Sequence, residues 1–167
     1  MCILYYVDRD SDGWRRTIGE IMRITYKGDY AMKALLDLAI HFGEGPVQIH
    51  DVANRIDAPI KFLEAVLLEL KRGGFVESRR GKEGGYLLAR EPARIKVGDV
   101  ARFVDGPIEP IACAAEGYKG CGDVYRCAFR KIWKDVVDAT SNVIDNVSFE
   151  DLAAKLRKKE PEIEYAI

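Results

Sequence analysis

The chain lacks the features that would mark a membrane protein or an enzyme. None of its 167 residues belongs to an apolar run near the roughly 20 residues that a membrane-spanning helix needs. It has two histidines, His41 and His50, and no nucleophile paired with a base or glycine-rich phosphate loop. The first residues, MCILYYV, lack the basic segment and cleavage site of a secretory signal. We therefore expect a cytoplasmic protein that is not an enzyme.

The net charge of the chain is also close to zero. At -1, it excludes the uniformly basic surface of many nucleic-acid-binding proteins, so any attraction to nucleic acid depends on local charge. Between Lys71 and Lys96, eight basic residues stand against three acidic ones, a local net charge of +5. This stretch is where a contact with nucleic acid is expected.

The segment from Pro59 to Arg72, PIKFLEAVLLELKR, is predicted to be a recognition helix. Its apolar residues Leu63, Val66, Leu67 and Leu70 recur at helical spacing and form one buried stripe. The opposite face is a candidate reader of DNA bases, and it carries Ile60, Lys61, Glu64, Ala65 and Leu68.

Two helices are predicted before this one, at Tyr26 to Phe42 and Gln48 to Ile56. The first has Ala31, Ala34, Leu35, Leu38 and Phe42 on its buried face. Asp57-Ala58-Pro59 forms the turn, and proline suits a helix start because the N–H that it lacks would have had no partner there. The pattern is helix, turn, helix.

A β-hairpin is predicted after the recognition helix, which ends at Gly73-Gly74. Its strands are Phe75 to Arg79 and Tyr86 to Ala89, joined by the loop RGKEGG. The glycines permit close approach to a phosphate backbone, while Arg79, Arg80 and Lys82 supply charge. We interpret the hairpin as a DNA-contacting wing, the alternative being a solvated basic hairpin.

The second half contains a short helix at Val97 to Val104, an aperiodic stretch from Asp105 to Tyr125, and a long helix from Cys127 to about Asn146. The long helix has a heptad-like seam that predicts a dimer interface, although packing within one chain would also explain it. The seam comprises Phe129, Ile132, Val136, Ala139, Val143 and Asn146. A last helix begins at Ser148 with a capping-box pattern, and the tail after Lys158 is expected to be disordered.

The predicted fold is mainly α, a winged helix-turn-helix with a β-hairpin wing and a long C-terminal dimerisation helix. Residues 1–21 are interpreted as a non-native extension before a native start at Met22, or as a mobile arm, and are excluded from the fold. The DNA-binding domain spans residues 22–92, and a linker helix and cysteine loop span 93–126. The dimerisation helix spans 127–147, and 148–167 form the short helix and tail.

Several segments together resemble the Rrf2 family of winged-helix transcription regulators, which includes the IscR, NsrR and CymR types. They are MRITYKGDYAMKALLDLA from Met22, the Phe62-Leu63-Glu64 helix, RRGKEGGYLL from Arg79, IKVGDVARFVDG from Ile95, and Phe149-Glu150-Asp151-Leu152. The resemblance implies a homodimer on a pseudo-palindromic double-stranded operator, with half-sites about 34 Å apart. It also implies that Lys61, Phe62, Glu64 and Arg80 lie at the DNA. Glu64 can accept a hydrogen bond from a cytosine amino group, or else pair with Lys61 on the surface.

The sequence has four cysteines, of which Cys113, Cys121 and Cys127 lie together in the aperiodic stretch. Thiolates at this spacing can surround one metal centre, and thiolate is the usual ligand of iron-sulfur clusters. Zinc, incidental thiols and redox thiols remain as alternatives, and Cys2 is taken as irrelevant. Arg130 stands where some family members carry a histidine ligand, and Asp29 matches the acidic ligand of others. The fourth ligand is therefore expected to be Asp29 or an open iron position, although Asp29 also suits the dipole at a helix start.

The resulting hypothesis is a dimeric regulator that senses iron-sulfur, redox or nitrosative status through a [2Fe–2S] or [4Fe–4S] cluster. A cluster-free regulator controlled by a partner protein or small ligand is the alternative within this class. A small iron-sulfur redox carrier is the alternative from another class.

Overall fold

A computed structural model describes residues 24–81, 83–115, 117–123 and 126–158. Across these residues the expected mainly α fold with one small hairpin is confirmed. The α-helices are α1 (Tyr26–Ile40), α2 (Ile49–Ile56), α3 (Ile60–Arg72), α4 (Val97–Asp105), α5 (Ala128–Ile144) and α6 (Phe149–Arg157). The strands are β1 (Val76–Arg79) and β2 (Gly85–Leu88), and short 3₁₀ helices cover Pro92–Arg94 and Ala112–Ala114. The expectations for residues 1–21, for Lys82 and for the tail after Lys158 fall outside the described residues.

The chain divides into two compact units. One contains Ile24–Gly106 and Asn142–Ile167, and thus α1 to α4, the hairpin and α6. The other contains Pro107–Ser141, with the three neighbouring cysteines and most of α5. No helix within the described ranges is long and apolar enough to cross a membrane.

The core of the first unit is built around α1 and α3. Leu35 on α1 and Leu63, Leu67 and Leu70 on α3 have no exposed surface, as the helical spacing of their apolar positions predicts. Thr25 caps α1, because its hydroxyl accepts a hydrogen bond from the Gly28 amide at 3.1 Å. Helix α1 is therefore both capped at its start and buried along one face.

Helix α6 returns to this core, which no local pattern indicated. Phe149 at its start has no exposed surface, and its amide donates to the carbonyl of Ile95 at 3.0 Å. The expected capping box is present: the Ser148 hydroxyl accepts from the Asp151 amide, and the Asp151 carboxylate accepts from the Ser148 amide. The Ser148 hydroxyl also donates to the Asp151 carboxylate at 2.6 Å, and the hydrogen bonds that the hydroxyl and amide of Ser148 donate lower the pKa of Asp151. The start of α6 is thus tied to the segment just before α4.

Some predicted boundaries were wrong by one or two residues. Helix α1 ends at Ile40, so Phe42 leaves the helical stripe and is 46% exposed instead of buried. Each strand lies one residue away from its expected position at one or both ends, and α5 ends at Ile144. Boundaries shift easily because capping and turn contacts decide them more than the periodicity does.

Candidate DNA interface and cysteine loop

Helix α3 separates a buried stripe from an exposed one, as expected. Lys61, Glu64, Ala65 and Leu68 are exposed and share one face, because they recur every three or four residues. Pro59 precedes the helix, and its carbonyl accepts hydrogen bonds from the amides of Phe62 and Leu63. In the described part of the chain, α3 therefore exposes one face to a ligand, with the charged Lys61 and Glu64 beside the apolar Ala65 and Leu68.

Phe62 is only 37% exposed because α1 supports its ring. The ring meets that of Tyr30 edge to face, with centroids 5.4 Å apart and planes inclined by 71°. The ammonium of Lys33 lies 5.5 Å from the centre of the Tyr30 ring. Sequence reasoning missed Tyr30 and Lys33, since periodicity carries no signal of a contact between separate helices.

The far end of α3 is attached to both neighbouring elements. Glu69 pairs with Lys27 of α1 at 3.2 Å, and the Lys71 ammonium donates to the Ser78 hydroxyl of β1 at 2.5 Å. Arg72 is exposed in the same last turn. These links hold the orientation of α3 relative to α1 and the hairpin.

The hairpin places two arginines at its turn. Strands β1 and β2 pair antiparallel, with Arg79 opposite Gly85, and Arg79 and Arg80 are both exposed. Gly81 has a φ of +116°, a conformation that favours glycine. A side chain at Gly84 would collide with the Arg79 carbonyl, so this turn depends on its glycines.

A third short segment pairs with β2 near the turn of the hairpin. Val47, in the loop before α2, exchanges two backbone hydrogen bonds with Tyr86, both 2.8 Å long. A cleft at this junction is lined by Arg79 and Arg80 of the hairpin and by Gln48 at the start of α2. The two arginines thus lie beside the helix-turn-helix, where a phosphate backbone that crosses it could meet them.

Cys113, Cys121 and Cys127 are unpaired thiols, each partly exposed. Arg130 connects the first and third of them: its side chain donates to the Cys113 carbonyl at 3.0 Å, and its amide donates to the Cys127 carbonyl at 3.3 Å. In the part of the chain that is described, no three histidine, cysteine or acidic side chains stand close enough together to hold a metal ion. The donor chemistry of three thiols fits an iron-sulfur cluster, but the thiols are not arranged as a preformed cage.

Asp29 lies in the first turn of α1, in the unit that does not contain these cysteines. Its carboxylate pairs with Lys33 one turn later at 2.6 Å, and this hydrogen bond raises the pKa of Lys33. An acidic group at the start of a helix also interacts favourably with the helix dipole. The observed contacts of Asp29 are therefore those of a surface charge.

Helix α5 has no buried residue, although one of its faces is apolar. Along the expected seam, Phe129 and Val143 are each 65% exposed and Ile132 is 53% exposed, while Val136 is partly buried and Ala139 is exposed. Exposed apolar surface that repeats along a helix is typical of an interface with another helix.

Comparisons with known proteins agree with this arrangement. The Rrf2 family model, described as an iron-dependent transcriptional regulator, matches residues 24–155. The HTH-type transcriptional regulator IscR of Xenorhabdus nematophila is 37% identical over 131 residues, which cover 78% of this chain and 79% of that protein. IscR of Serratia proteamaculans has the same identity and coverage.

Two solved structures share the fold. CymR, the global cysteine regulator of B. subtilis, aligns with a TM-score of 0.69 and 33% identity over 81% of this chain and 98% of that chain. IscR of T. potens aligns with a TM-score of 0.67 and 32% identity over 83% of this chain and 90% of that chain.

Proposed function

Because the chain belongs to the Rrf2 family of transcriptional regulators, we propose that it acts as a homodimer on a pseudo-palindromic DNA operator and that its three loop cysteines hold a sensory iron-sulfur cluster. The observation that carries the DNA-binding part is the exposed α3 face of Lys61, Glu64 and Ala65. Glu64 is the sharpest indication, because an acidic side chain facing a polyanion is costly unless it accepts a hydrogen bond from a base.

Each part of the interface has a distinct role. Lys61, Glu64 and Ala65 on α3 lie in the major groove. The Phe62 ring, which packs against Tyr30, sets the position at which the start of α3 enters the groove. Arg79, Arg80 and Lys82 of the wing bind phosphate or the minor groove. The α3 residues supply base specificity, and the wing residues supply affinity that does not depend on sequence.

Selection of duplexes from random DNA tests this assignment. The selected half-site should contain a cytosine whose replacement weakens binding of the unmodified protein. Glu64→Gln should lose the preference for that cytosine, at a cost of about 1–3 kcal/mol. Glu150→Gln removes a carboxylate from α6 and should keep the preference. If no duplex is enriched, the DNA-binding assignment fails.

The dimer is proposed to form along α5. Phe129, Ile132, Val136, Ala139 and Val143 repeat along one face that this single chain leaves largely uncovered. A second copy of α5 would bury these side chains and hold two α3 helices about 34 Å apart, one turn of B-form DNA.

Cys113, Cys121 and Cys127 are the residues that would hold the cluster, with Asp29 as the candidate fourth ligand. A bound cluster supplies reversible redox chemistry and sensitivity to oxidants. Cys127 immediately precedes α5, and Arg130 links the Cys113 carbonyl to the first turn of that helix. Ordering the three thiolates therefore also orders the start of the dimer helix, and this links the loop to the spacing of the two α3 helices.

Cys121→Ala tests the sensory role, with Cys2→Ala as the matched control. Both variants are purified without oxygen, and iron, acid-labile sulfide and operator affinity are measured. Cys121→Ala should lose iron and change operator affinity by about 5–150-fold, the usual range of coupling between two sites. Cys2→Ala should change neither quantity. Unchanged operator affinity in metal-free Cys121→Ala protein would contradict cluster-based sensing.

The second candidate is a cluster-free regulator controlled by a partner or a small ligand. It is favoured by the absence of a preformed cage of metal ligands among the described side chains. Absence of iron from the unmodified protein purified without oxygen would support it. A redox carrier would hold iron without binding DNA, and a steep loss of DNA affinity with salt distinguishes a regulator from it.

A further inference from the structure

The exposed face of α3 contains a leucine that the DNA contacts described above leave unexplained. Leu68 is 50% exposed, although its neighbours Leu67 and Leu70 have no exposed surface. It lies one turn after Glu64 and next to Ala65 on the face that also contains Lys61. An isolated exposed leucine needs no explanation, but Leu68 stands within a candidate reading surface.

The charges around Leu68 indicate the chemistry of its partner. Lys61 begins the same exposed stripe, and Lys71 and Arg72 follow Leu68 in the last turn of the helix. Glu64 is the one carboxylate on this part of the described face. An apolar group between cations at both ends of a helix fits a partner that is anionic at its edges and apolar at its centre.

DNA has this combination in the major groove. Phosphates border the groove, and the 5-methyl group of thymine is the main apolar feature of its floor. Alanine and larger apolar side chains recognise thymine by contact with this methyl group. A second protein could also cover a leucine, but the surrounding cations favour the nucleic acid.

We propose that Leu68, with Ala65 beside it, is a specificity-determining residue that recognises thymine 5-methyl groups next to the base read by Glu64. This inference rests on the proposed DNA-binding function and adds a base preference to it. Leu68 follows Glu64 by about 6 Å along the helix axis, since each residue rises about 1.5 Å. Successive bases are about 3.4 Å apart, so the thymine lies within about two base pairs of the cytosine.

Deoxyuridine provides a direct test, because it keeps every hydrogen-bonding group of thymidine and lacks only the methyl group. Duplexes selected by the unmodified protein are remade with one thymidine at a time replaced by deoxyuridine, and their affinities are measured by fluorescence anisotropy. One or two replacements per half-site should weaken binding about fourfold, which corresponds to about 0.8 kcal/mol for one buried methyl group. The affected positions should lie within about two base pairs of the cytosine.

The same scan is repeated with Leu68→Ala and with Leu156→Ala, which shortens a leucine of α6 that is 43% exposed. For Leu68→Ala, replacement by deoxyuridine should no longer weaken binding at one of the affected positions. Leu156→Ala should show the same losses of affinity, position by position, as the unmodified protein. The proposal is overturned if all replacements are neutral for the unmodified protein, or if Leu68→Ala has the unmodified profile. A change in oligomeric state of Leu68→Ala with an unaltered uracil profile also overturns it, in favour of a protein contact. Failure to enrich any duplex would instead reject the DNA-binding function itself.

Discussion

Arg55 donates two hydrogen bonds to the buried carboxylate of Asp37, from Nε to Oδ1 at 2.6 Å and from Nη2 to Oδ2 at 2.8 Å. The pair joins the last turn of α2 to α1, and the hydrogen bonds that Arg55 donates to Asp37 raise the pKa of Arg55. Since α3 packs on both helices, this pair helps to fix the position of α3 and of its exposed face, the candidate DNA-reading surface.

Arg55→Ala should destabilise the protein by about 2 kcal/mol. A hydrogen bond to a charged group contributes about 1.5–3 kcal/mol, and loss of the guanidinium leaves a buried carboxylate unpaired. The guanidinium side chain is 39% exposed, so water replaces part of the interaction. Urea unfolding measures the change. Arg94→Ala, which breaks an exposed pair with Glu91, should cost less than about 0.5 kcal/mol, and equal losses would contradict the role given to Arg55.

Arg80→Ala should weaken binding to selected and to scrambled duplexes by the same factor. A phosphate contact carries no base information, and each one contributes about one counterion to the salt dependence. The slope of log affinity against log salt should therefore become less steep by about one. Lys155→Ala removes a cation from α6 and serves as the control. An unchanged slope for Arg80→Ala would show that Arg80 does not contact phosphate.

Ile132→Asp should convert the proposed dimer into a monomer. The substitution places a charge on the apolar face of α5, where a partner helix would have to bury it. Lys134→Asp introduces the same group at an exposed α5 position outside the seam and should leave the dimer intact. Light scattering coupled to size-exclusion chromatography gives the mass of each variant. A dimeric Ile132→Asp protein would place the interface elsewhere.

The ion pair between Arg102 and Asp145 should make the free energy of unfolding depend on pH. Arg102 donates to Asp145 at 2.6 and 2.9 Å, and these hydrogen bonds lower the pKa of Asp145 below its ordinary value of 3.8. The pKa of Asp145 is thus lower in the folded state than in the unfolded state. The contribution of the ion pair to stability is therefore complete above pH 3.8 and is lost as the pH falls through the folded-state pKa.

Asp145→Asn provides the measurement. Its urea midpoint should lie below that of the unmodified protein at about pH 6, and the gap should narrow as the pH falls to about 3. A gap of constant size over this range would mean that the pair contributes through packing and not through charge.

Local patterns predicted the parts of this molecule that depend on neighbouring residues. The helical spacing of Leu63, Val66, Leu67 and Leu70 identified the buried side of α3, and all four are buried. The spacing of Ser148 and Asp151 identified the capping box that begins α6. Such features are accessible because helix geometry and capping relate residues only a few positions apart.

Contacts between distant segments could not be predicted in this way. The Phe62 ring packs against Tyr30, Arg55 pairs with Asp37, and Arg130 donates to the Cys113 carbonyl. In each pair the two residues belong to different segments, so the periodicity of one segment carries no signal of its partner. The three cysteines were predicted to surround one centre, and this remains a prediction, because their described positions form no metal cage.

The order of amino acids by itself determined which elements form, which faces are apolar and where charge and thiols are concentrated, since these properties follow from residue type and periodicity. Only the tertiary structure decided which polar groups pair, that α6 closes the core through Phe149, and that the Phe62 ring packs against Tyr30. The reason is that partners far apart in sequence become neighbours only when packing fixes the relative positions of whole helices, and no local rule contains those positions.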